Sequence, residues 1–251
     1  MPNNSGYKAS VTLGGSTPTR LQRVGYTVNG APIDIPDLSH AVAQMAPGIA
    51  TVDVVAEQSY KGSSGRRFTL TLGAYAGAEF DNVTLTARND EIDTADAADA
   101  FTQRVPGAGT FEATGGGKYN ATTHFATLAK VAASTGTSLA ASIHDSAGSA
   151  VISGLAFVNR GGWDAPRGAI TQEFGVRFKT ITSITASAKF CSMVKTASLG
   201  AASTAVVVKD PAGTTKLSGA GYAMEATFTA TAAGAVTESI RHSVHTVTTL
   251  V

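Results

Sequence analysis

Short segments in which apolar and polar residues alternate follow one another along the 251-residue chain. The segment ITQEFGVRFKT (170–180) is the clearest, and TVDVVAE (51–57) follows the same pattern. Alternation with a period of two is typical of a strand that has one covered and one exposed face. Gly, Asn, Asp and Pro lie between these segments, as they do in the turns of an antiparallel sheet. The pattern therefore predicts a mainly β protein.

Two segments interrupt this alternation, PIDIPDLSHAVAQMAPG (32–48) and EIDTADAADAFTQRVPG (91–107). Each has acidic residues near its beginning and Pro-Gly at its end, which is the punctuation of a short helix. We therefore predict helices over about 36–45 and 95–104. The residues predicted to start or stop these helices are Asp34, Asp37, Pro47, Gly48, Asp93, Asp96, Pro106 and Gly107.

The two helix-like segments belong to a longer repeat. When the sequence is shifted by 59 positions, 14 of the 53 residues in 8–60 are identical to those in 67–119, without a gap. An ungapped match of this length within one chain indicates an internal duplication. We call 8–60 and 67–119 the two N units, and each is predicted to have strands before and after its helix.

The second half of the chain contains a repeat of its own. DSAGSAVISGLAF (145–157) matches DPAGTTKLSGAGY (210–222) at an offset of 65, and AITQEFGVRFKTIT matches AVTESIRHSVHTVT at an offset of 66. We call 122–184 and 185–250 the two C units. DSAG and DPAG are predicted to be turns between strands. The strands predicted in the first C unit lie at about 122–132, 138–144, 150–159 and 169–180.

The order of the units along the chain is N, N, C, C, and two arrangements of domains fit it. Either a second domain, 67–184, is inserted into a first domain made of 8–66 and 185–250, or the two domains are intertwined. One N unit and one C unit together supply about seven strands and a short helix. We therefore predict two β-sandwich or partly open barrel domains, each with one short helix.

Composition and charge exclude several classes of protein. Charged residues make up 15% of the chain, below the ~25% of typical soluble domains, and the formal net charge is +1. This balance does not favour a nucleic-acid binder with a basic surface. The single cysteine, Cys191, excludes an internal disulfide and is expected to be buried. The N-terminus does not resemble a signal peptide, and no apolar run has the length of a membrane span, so we expect assembly in the cytoplasm without a membrane partner.

Residues that could carry chemistry are few and poorly grouped. Asp34, Asp37, Ser39 and His40 form the most site-like cluster. Ser39 and His40 are adjacent on one predicted helix, where neighbouring side chains do not face each other, and the second N unit has alanine and aspartate in their place. The other histidines are scattered over strand segments without a converging carboxylate or thiolate: His124, His144, His242 and His245. We therefore expect no enzyme activity, no cofactor and no metal.

Two further features are better explained by structure than by ligand binding. GSSGRR (62–67) and GGGK (115–118) are rich in glycine, but neither has the strand–loop–helix setting of a phosphate-binding loop, so we expect flexible links. The main aromatic group is expected to belong to the core or to a subunit interface. It comprises Phe157, Trp163, Phe174 and Phe178.

The order of elements resembles a known family. An extended strand, Ile-Asp, a short helix, Pro-Gly and a further strand resemble the N-terminal half of the tail tube (major tail) proteins of tailed phages. ISGLAFVNRGGWDAPRGAITQEFGVRF (152–178) resembles the C-terminal half, where a Ser-Gly-apolar strand leads through a proline turn into an alternating strand. The resemblance extends over most of the chain when both copies are used, although FTATAAG (228–234) lacks the proline of this turn.

The resemblance implies a structural virion protein whose β-sandwich domains close into six-domain rings, which stack into a phage tail tube. The lumen of such a tube holds the tape measure protein and later passes double-stranded DNA, and its ends meet the tail terminator and distal tail proteins. Because a doubled chain supplies two of the six positions, ring closure predicts a trimer with pseudo-sixfold symmetry. A near-neutral charge is compatible with a conduit that does not hold a polyanion, and we expect Arg66, Arg67 and Arg104 to be paired or to lie away from the lumen.

Two alternatives stay open at the level of sequence. One is another ring or tube component of the same machinery, such as a tail terminator or an injectosome-like tube. The other is a duplicated β-sandwich adhesin or carbohydrate-binding module, although the sequence lacks exposed aromatic pairs and the acidic loops typical of calcium sites.

Overall fold

Strands dominate the structure, a computed structural model, and the prediction of a mainly β protein is confirmed. The structure describes residues 9–18, 20–35, 44–60, 68–73, 75–96, 99, 101–118, 125–145, 148–165, 170–185, 188–231 and 236–251. The strands are β1 (Ser10–Leu13), β2 (Leu21–Ile35), β3 (Gln44–Tyr60), β4 (Phe68–Leu72), β5 (Tyr75–Phe80), β6 (Asn82–Asp93), β7 (Arg104–Lys118), β8 (Leu139–His144), β9 (Ala150–Asp164), β10 (Thr171–Ile184), β11 (Thr204–Lys209), β12 (Thr215–Thr231) and β13 (Val236–Leu250). The helices are α1 (Phe125–Thr135) and α2 (Lys189–Ser198).

Eight of the strands form a continuous antiparallel band in the order β2-β3-β13-β12-β6-β7-β10-β9. The sheet continues from β9 through β8 and β4 to β5, and a side branch runs from β12 through β11 to β1. Helix α2 packs against β12 and helix α1 packs against β9. In the described part of the chain, the strands form one open sheet with two helices rather than a closed barrel.

The two halves of the band are built from equivalent elements. Each C unit consists of one helix followed by three strands, α1-β8-β9-β10 and α2-β11-β12-β13. In the first N unit the short strand β1 precedes the long hairpin β2-β3, and in the second the short strands β4 and β5 precede the long hairpin β6-β7. β1 and β3 of the first N unit pair with β11 and β13 of the second C unit. β4 and β7 of the second N unit pair with β8 and β10 of the first C unit.

The turns predicted at DSAG and DPAG have the same hydrogen bonds. The Asp145 side chain accepts a hydrogen bond from the Ser149 amide, and the Asp210 side chain accepts one from the Thr214 amide, both at 2.9 Å. The glycine that closes each turn has a positive φ, of 80° at Gly148 and 84° at Gly213. A side chain is strained in this conformation, which explains glycine at both positions.

The two helices lie in different places from those predicted. Residues 125–135 form a helix, although 122–132 was predicted to be a strand, and α2 occupies the equivalent position in the second copy. In α2 the buried residues are Phe190, Cys191, Val194 and Ala197, which is the spacing of one helical face. Each helix is followed by a glycine with positive φ, Gly136 or Gly200, whose amide bonds back to the last turn.

The second segment predicted to be a helix lies at the end of a long hairpin, and most of the first lies outside the described residues. Strand β7 begins at Arg104, where the second predicted helix was to end, and the Thr94 amide donates to the Gln103 carbonyl at 2.7 Å across the tip. In the first N unit Met45 is already in β3, and 36–43 lie outside the described residues. The prediction over 95–104 was wrong because an Asp-rich and Ala-rich stretch of about ten residues is too short to be a stable helix alone, whereas the flanking strands extend into a ladder.

The residues that were assigned to helix ends and that the structure describes lie in strands or at a hairpin tip. Asp34 and Asp93 lie in strands, opposite Met45 and Arg104. The Asp93 side chain accepts a hydrogen bond from the Ala95 amide at 3.0 Å, which is a turn contact rather than a helix cap. Pro47, Gly48, Pro106 and Gly107 also lie in strands. Asp96 lies at the tip of the second hairpin, and Asp37 is outside the described residues.

Candidate functional site

One face of the eight-stranded band is polar and the other forms the core. Along β3, for example, Val52, Val54 and Ala56 are buried while the residues between them are partly exposed. We call the partly exposed face the polar face. Threonine, serine and charged residues make up most of it: Thr51, Asp53, Glu57, Ser59, Thr84, Thr86, Arg88, Thr110, Glu112, Thr114, Glu173, Arg177, Glu225, Thr227, Thr229, Thr237, Ser239 and Arg241. A single antiparallel sheet thus presents one broad hydrophilic surface.

Several basic side chains on the polar face are paired with acidic ones across the strands. Arg241 contacts Asp53 at 3.4 Å and Glu225 at 3.8 Å, and it also contacts Glu91. Burial alone would lower the pKa of Arg241, but the hydrogen bond and charge of Glu91, with the other two carboxylates, raise it. Arg104 lies 2.7 Å from Glu91, so the expectation that it is paired is confirmed.

Further ion pairs follow the same pattern towards β9. Arg160 contacts Glu173 at 2.9 Å and Arg177 contacts Glu112 at 3.8 Å. Exposed pairs of this kind contribute little to stability, but they leave few unbalanced charges on the surface. Arg66 and Arg67 lie outside the described residues.

The band ends in two strands with an open edge. Among the described residues, β2 pairs with β3 alone. β9 pairs with β8 through Ala150–Ala156, and beyond that point only its edge towards β10 is paired. Strand edges that expose unpaired N–H and C=O groups can accept another strand.

Large apolar side chains are exposed beside both open edges. Trp163 on β9 is 66% exposed and Val28 on β2 is 40% exposed. Their equivalents in the other copy, Phe228 on β12 and Ala87 on β6, are buried to 1% and 0%. The equivalent positions therefore differ in whether a neighbouring strand covers them.

The aromatic group predicted from the sequence is divided in the structure. Phe174 packs against Phe80 and Phe125 in the core, with ring centroids 4.2 and 5.4 Å away. Phe178 is buried as well. Trp163 is separate from this cluster and lies on the surface, a distinction that composition alone does not make.

Most of the residues considered for catalysis lie outside the described part of the chain. Asp34 lies in β2, and Asp37, Ser39, His40 and His124 are outside the described residues. No three His, Cys, Asp or Glu side chains in the described part of the chain are placed to hold a metal ion. GGGK forms the end of β7, and GSSGRR is outside the described ranges.

A buried carboxylate connects α2 to the sheet, which the sequence did not predict. Glu238 on β13 is 0% exposed, and it accepts hydrogen bonds from the Cys191 amide at 3.0 Å and from Gln58 at 3.1 Å. It therefore satisfies an N–H group in the first turn of α2, which has no acidic residue of its own there. Cys191 is buried, as expected, and burial together with Glu238 raises the pKa of its thiol.

Replacing Glu238 with alanine should lower the free energy of unfolding by about 3 kcal/mol, because two buried donors lose an acceptor. Glu57→Ala is a matched control, since Glu57 lies one position away in the same ladder but on the polar face. It should change stability by less than about 0.5 kcal/mol. Urea denaturation of unassembled protein measures both values, and equal effects would show that the buried carboxylate has no special role.

His242 is buried on β13 and gives the stability a pH dependence. Its Nε2 lies 3.0 Å from the Thr204 hydroxyl, and burial, with the nearby His245, lowers its pKa from 6.5 to about 4. Between these values the unfolded chain binds a proton that the folded chain does not bind. Stability is therefore lost as the pH falls from 6.5 towards 4.

We expect this loss to reach about 3 kcal/mol for His242. Urea denaturation at pH 7 and pH 4 should show a smaller difference in stability for His242→Gln than for the original protein. An unchanged pH dependence in His242→Gln would contradict this assignment.

No helix in the described part of the chain has both the length and the apolar character needed to cross a membrane.

No family model matches the chain, and no curated protein matches it. The solved structures that are similar to it include two chains of gene transfer agent particles. One is a chain of the virion of a native gene transfer agent particle, with a TM-score of 0.37 and 10% identity, covering 50% of this chain and 100% of that one. The other is from the tail of an empty gene transfer agent particle refined with helical and C6 symmetry, with a TM-score of 0.36 and 14% identity, covering 51% and 100%.

Proposed function

We propose that the protein is a structural virion protein that forms the tail tube of a phage, with three chains in each ring. The sequence resemblance to tail tube proteins supports the role in a tube. The arrangement of the eight-stranded band supports three chains in each ring. The assembled protein would belong to the virion after assembly in the host cytoplasm.

The domain division proposed here is the nested one, with 67–184 inserted between 8–66 and 185–250. It is supported by the ladders, because β3 pairs with β13 and β7 pairs with β10. Each proposed domain then supplies four strands to the band, β2-β3-β13-β12 or β6-β7-β10-β9. One helix accompanies each group of four strands.

The observation that carries the proposal is the join between β12 and β6. Through it, two equivalent four-stranded groups lie side by side in one antiparallel sheet. A join that connects equivalent units from head to tail can be repeated, and it gives a ring when the rotation closes. Each chain contains two units, so three chains would supply the six positions of a ring.

The polar face is proposed to line the lumen. The other face is covered by α1 and α2, so a band that curves into a ring has only the polar face for its inner surface. Threonine and serine with paired charges would let double-stranded DNA pass without the counterion release that holds DNA on basic surfaces. The tape measure protein would occupy the same space before DNA, and the tail terminator and distal tail proteins would contact the ends.

Negative-stain microscopy of the purified chain tests the proposal. We expect hollow tubes or short stacks of rings with regular striations. A protein that stays monomeric at high concentration would contradict the proposal. If such a monomer bound glycans, it would be an adhesin-like module instead.

A further inference from the structure

The join between β12 and β6 has a defined register. Glu225 pairs with Arg88, Phe228 with Leu85 and Thr229 with Thr84. Phe228 and Leu85 both point into the core and are 1% exposed. The join therefore combines backbone pairing with a buried apolar pair.

The repeat identifies the strands that correspond to this join. Subtracting the C-unit offset of 65 places residues 225–230 of β12, which pair with β6, on 160–165 at the end of β9. Subtracting the N-unit offset of 59 places their partners, residues 83–88 of β6, on 24–29 in β2. These are the two open edges of the band, at its opposite ends. One chain therefore has both halves of a second join, and within the described residues no strand pairs with either of them on its open edge.

Exposure follows the same correspondence. On β6, Val83, Leu85 and Ala87 are buried to 1% or less, whereas on β2 the equivalent Val28 is 40% exposed. The other two equivalents, Val24 and Tyr26, are only partly buried. The core-facing side of β2 thus lacks the cover that β12 gives to β6.

The side chains at the two edges are complementary in size. Inside the chain, Phe228 packs edge-to-face on Phe68, with ring centroids 6.2 Å apart. The equivalent of Phe228 is the larger Trp163, and the equivalent of Phe68 is the smaller Ala9. Beside β2, Ala9 lines an open recess of about 310 Å³ with Val24, Gly25, Tyr26, Val208, Lys209, Asp210 and Lys216. The space left by alanine at position 9, where the other copy has Phe68, is thus matched by the larger side chain of Trp163, where the other copy has Phe228.

We propose that the end of β9 in one chain pairs antiparallel with β2 of a second copy, in the register of the β12–β6 join. The pairs are then Arg160 with Asn29, Trp163 with Tyr26, and Asp164 with Gly25. Trp163 enters the recess beside Ala9 of the neighbouring chain. This inference rests on the proposed ring, and it specifies the residues through which the ring closes.

Disulfide trapping tests the register. Asn29→Cys with Arg160→Cys and Gly25→Cys with Asp164→Cys place cysteines at directly opposed positions, and Gly25 has open space around a built Cβ. Asn29→Cys with Asp164→Cys is the control, because these positions are four residues out of register, about 13 Å along the strand. Cys191 is buried and does not compete.

Under mild oxidation, assembled protein of both in-register variants should give covalent dimers and trimers on non-reducing gels, and the control should stay monomeric. Rings or tubes that form without in-register crosslinks would overturn the β9–β2 pairing and leave the tube intact. A protein that forms no rings at all would overturn the proposed function itself.

Hydrogen exchange of the original protein tests the same β9–β2 pairing without cysteine substitutions. Amides of 24–29 and 160–164 should become protected when monomers assemble, because the strand edges gain hydrogen bonds. Unchanged exchange in both segments on assembly would also overturn the pairing.

Discussion

Replacing Trp163 with alanine should abolish assembly and leave the fold of the single chain intact, whereas the equivalent substitution Phe228→Ala should damage the fold itself. Trp163 is 66% exposed, so its loss should change the free energy of unfolding by less than about 0.5 kcal/mol. Phe228 is 1% exposed and packs on Phe68, so its loss should cost about 3–5 kcal/mol. The same position in two copies then gives two different phenotypes.

Two measurements separate these phenotypes. Urea denaturation of unassembled protein gives the stability of each variant, and sedimentation or light scattering gives assembly. Leu199→Ala is the control, since Leu199 is 76% exposed but lies after α2, away from both open edges. Normal tubes from Trp163→Ala would contradict a role of the indole in assembly. A marked loss of stability in the unassembled Trp163→Ala protein would show that the side chain is packed within the single chain rather than exposed.

Alanine at Gly154 or Gly219 should each lower the free energy of unfolding by about 3 kcal/mol. A Cβ at Gly154 would lie 2.0 Å from the Thr180 carbonyl oxygen, and a Cβ at Gly219 would lie 2.1 Å from the Thr246 oxygen. Because the obstacle is backbone of the neighbouring strand, the strands must separate to admit a methyl group. These sites correspond to each other at the C-unit offsets of 65 and 66, so the two effects should be similar.

Gly30→Ala provides the comparison for this pair. No atom lies within 4 Å of a Cβ built at Gly30, so the change in stability should stay within about 0.5 kcal/mol. Thermal or urea unfolding measures all three variants. Tolerance of alanine at both Gly154 and Gly219 would show that these bulged strand pairs are looser than the structure indicates.

Strand alternation and the repeat predicted much of this fold from sequence alone. The period-two pattern of TVDVVAE follows β3, and the turns at Asp145 and Asp210 are where the sequence placed them. Both signals depend on residues near one another in the chain. They therefore do not require knowledge of which distant strands pair.

The helices were misplaced because local signals for helix and turn use the same residues. Asp, Thr and Pro-Gly mark helix ends, but they also suit the tip and arms of a hairpin, as Asp93 and Pro106 do here. The helix α2 had a usable signal in its apolar spacing at Phe190, Val194 and Ala197, followed by Gly200. Phe, Val and Thr in these segments favoured strands by propensity, and packing against β12 overrode that preference.

The candidate interface could be predicted only in part. Trp163 was recognised as a residue of the core or of a subunit interface, but the sequence does not distinguish between them. The distinction comes from long-range pairing, because β6 covers Phe228 while the equivalent edge of β9 is open. The Glu238 contact with Cys191 likewise joins residues 47 positions apart, beyond the reach of local patterns.

The number of chains in each ring tests the account most directly. Electron cryomicroscopy of tubes formed by the original chain, reconstructed without imposed sixfold symmetry, resolves whether neighbouring positions belong to the same chain. We predict three chains per ring, with six nearly equivalent four-stranded groups that are joined alternately by β12–β6 within a chain and by β9–β2 between chains. Six whole chains per ring would contradict this arrangement.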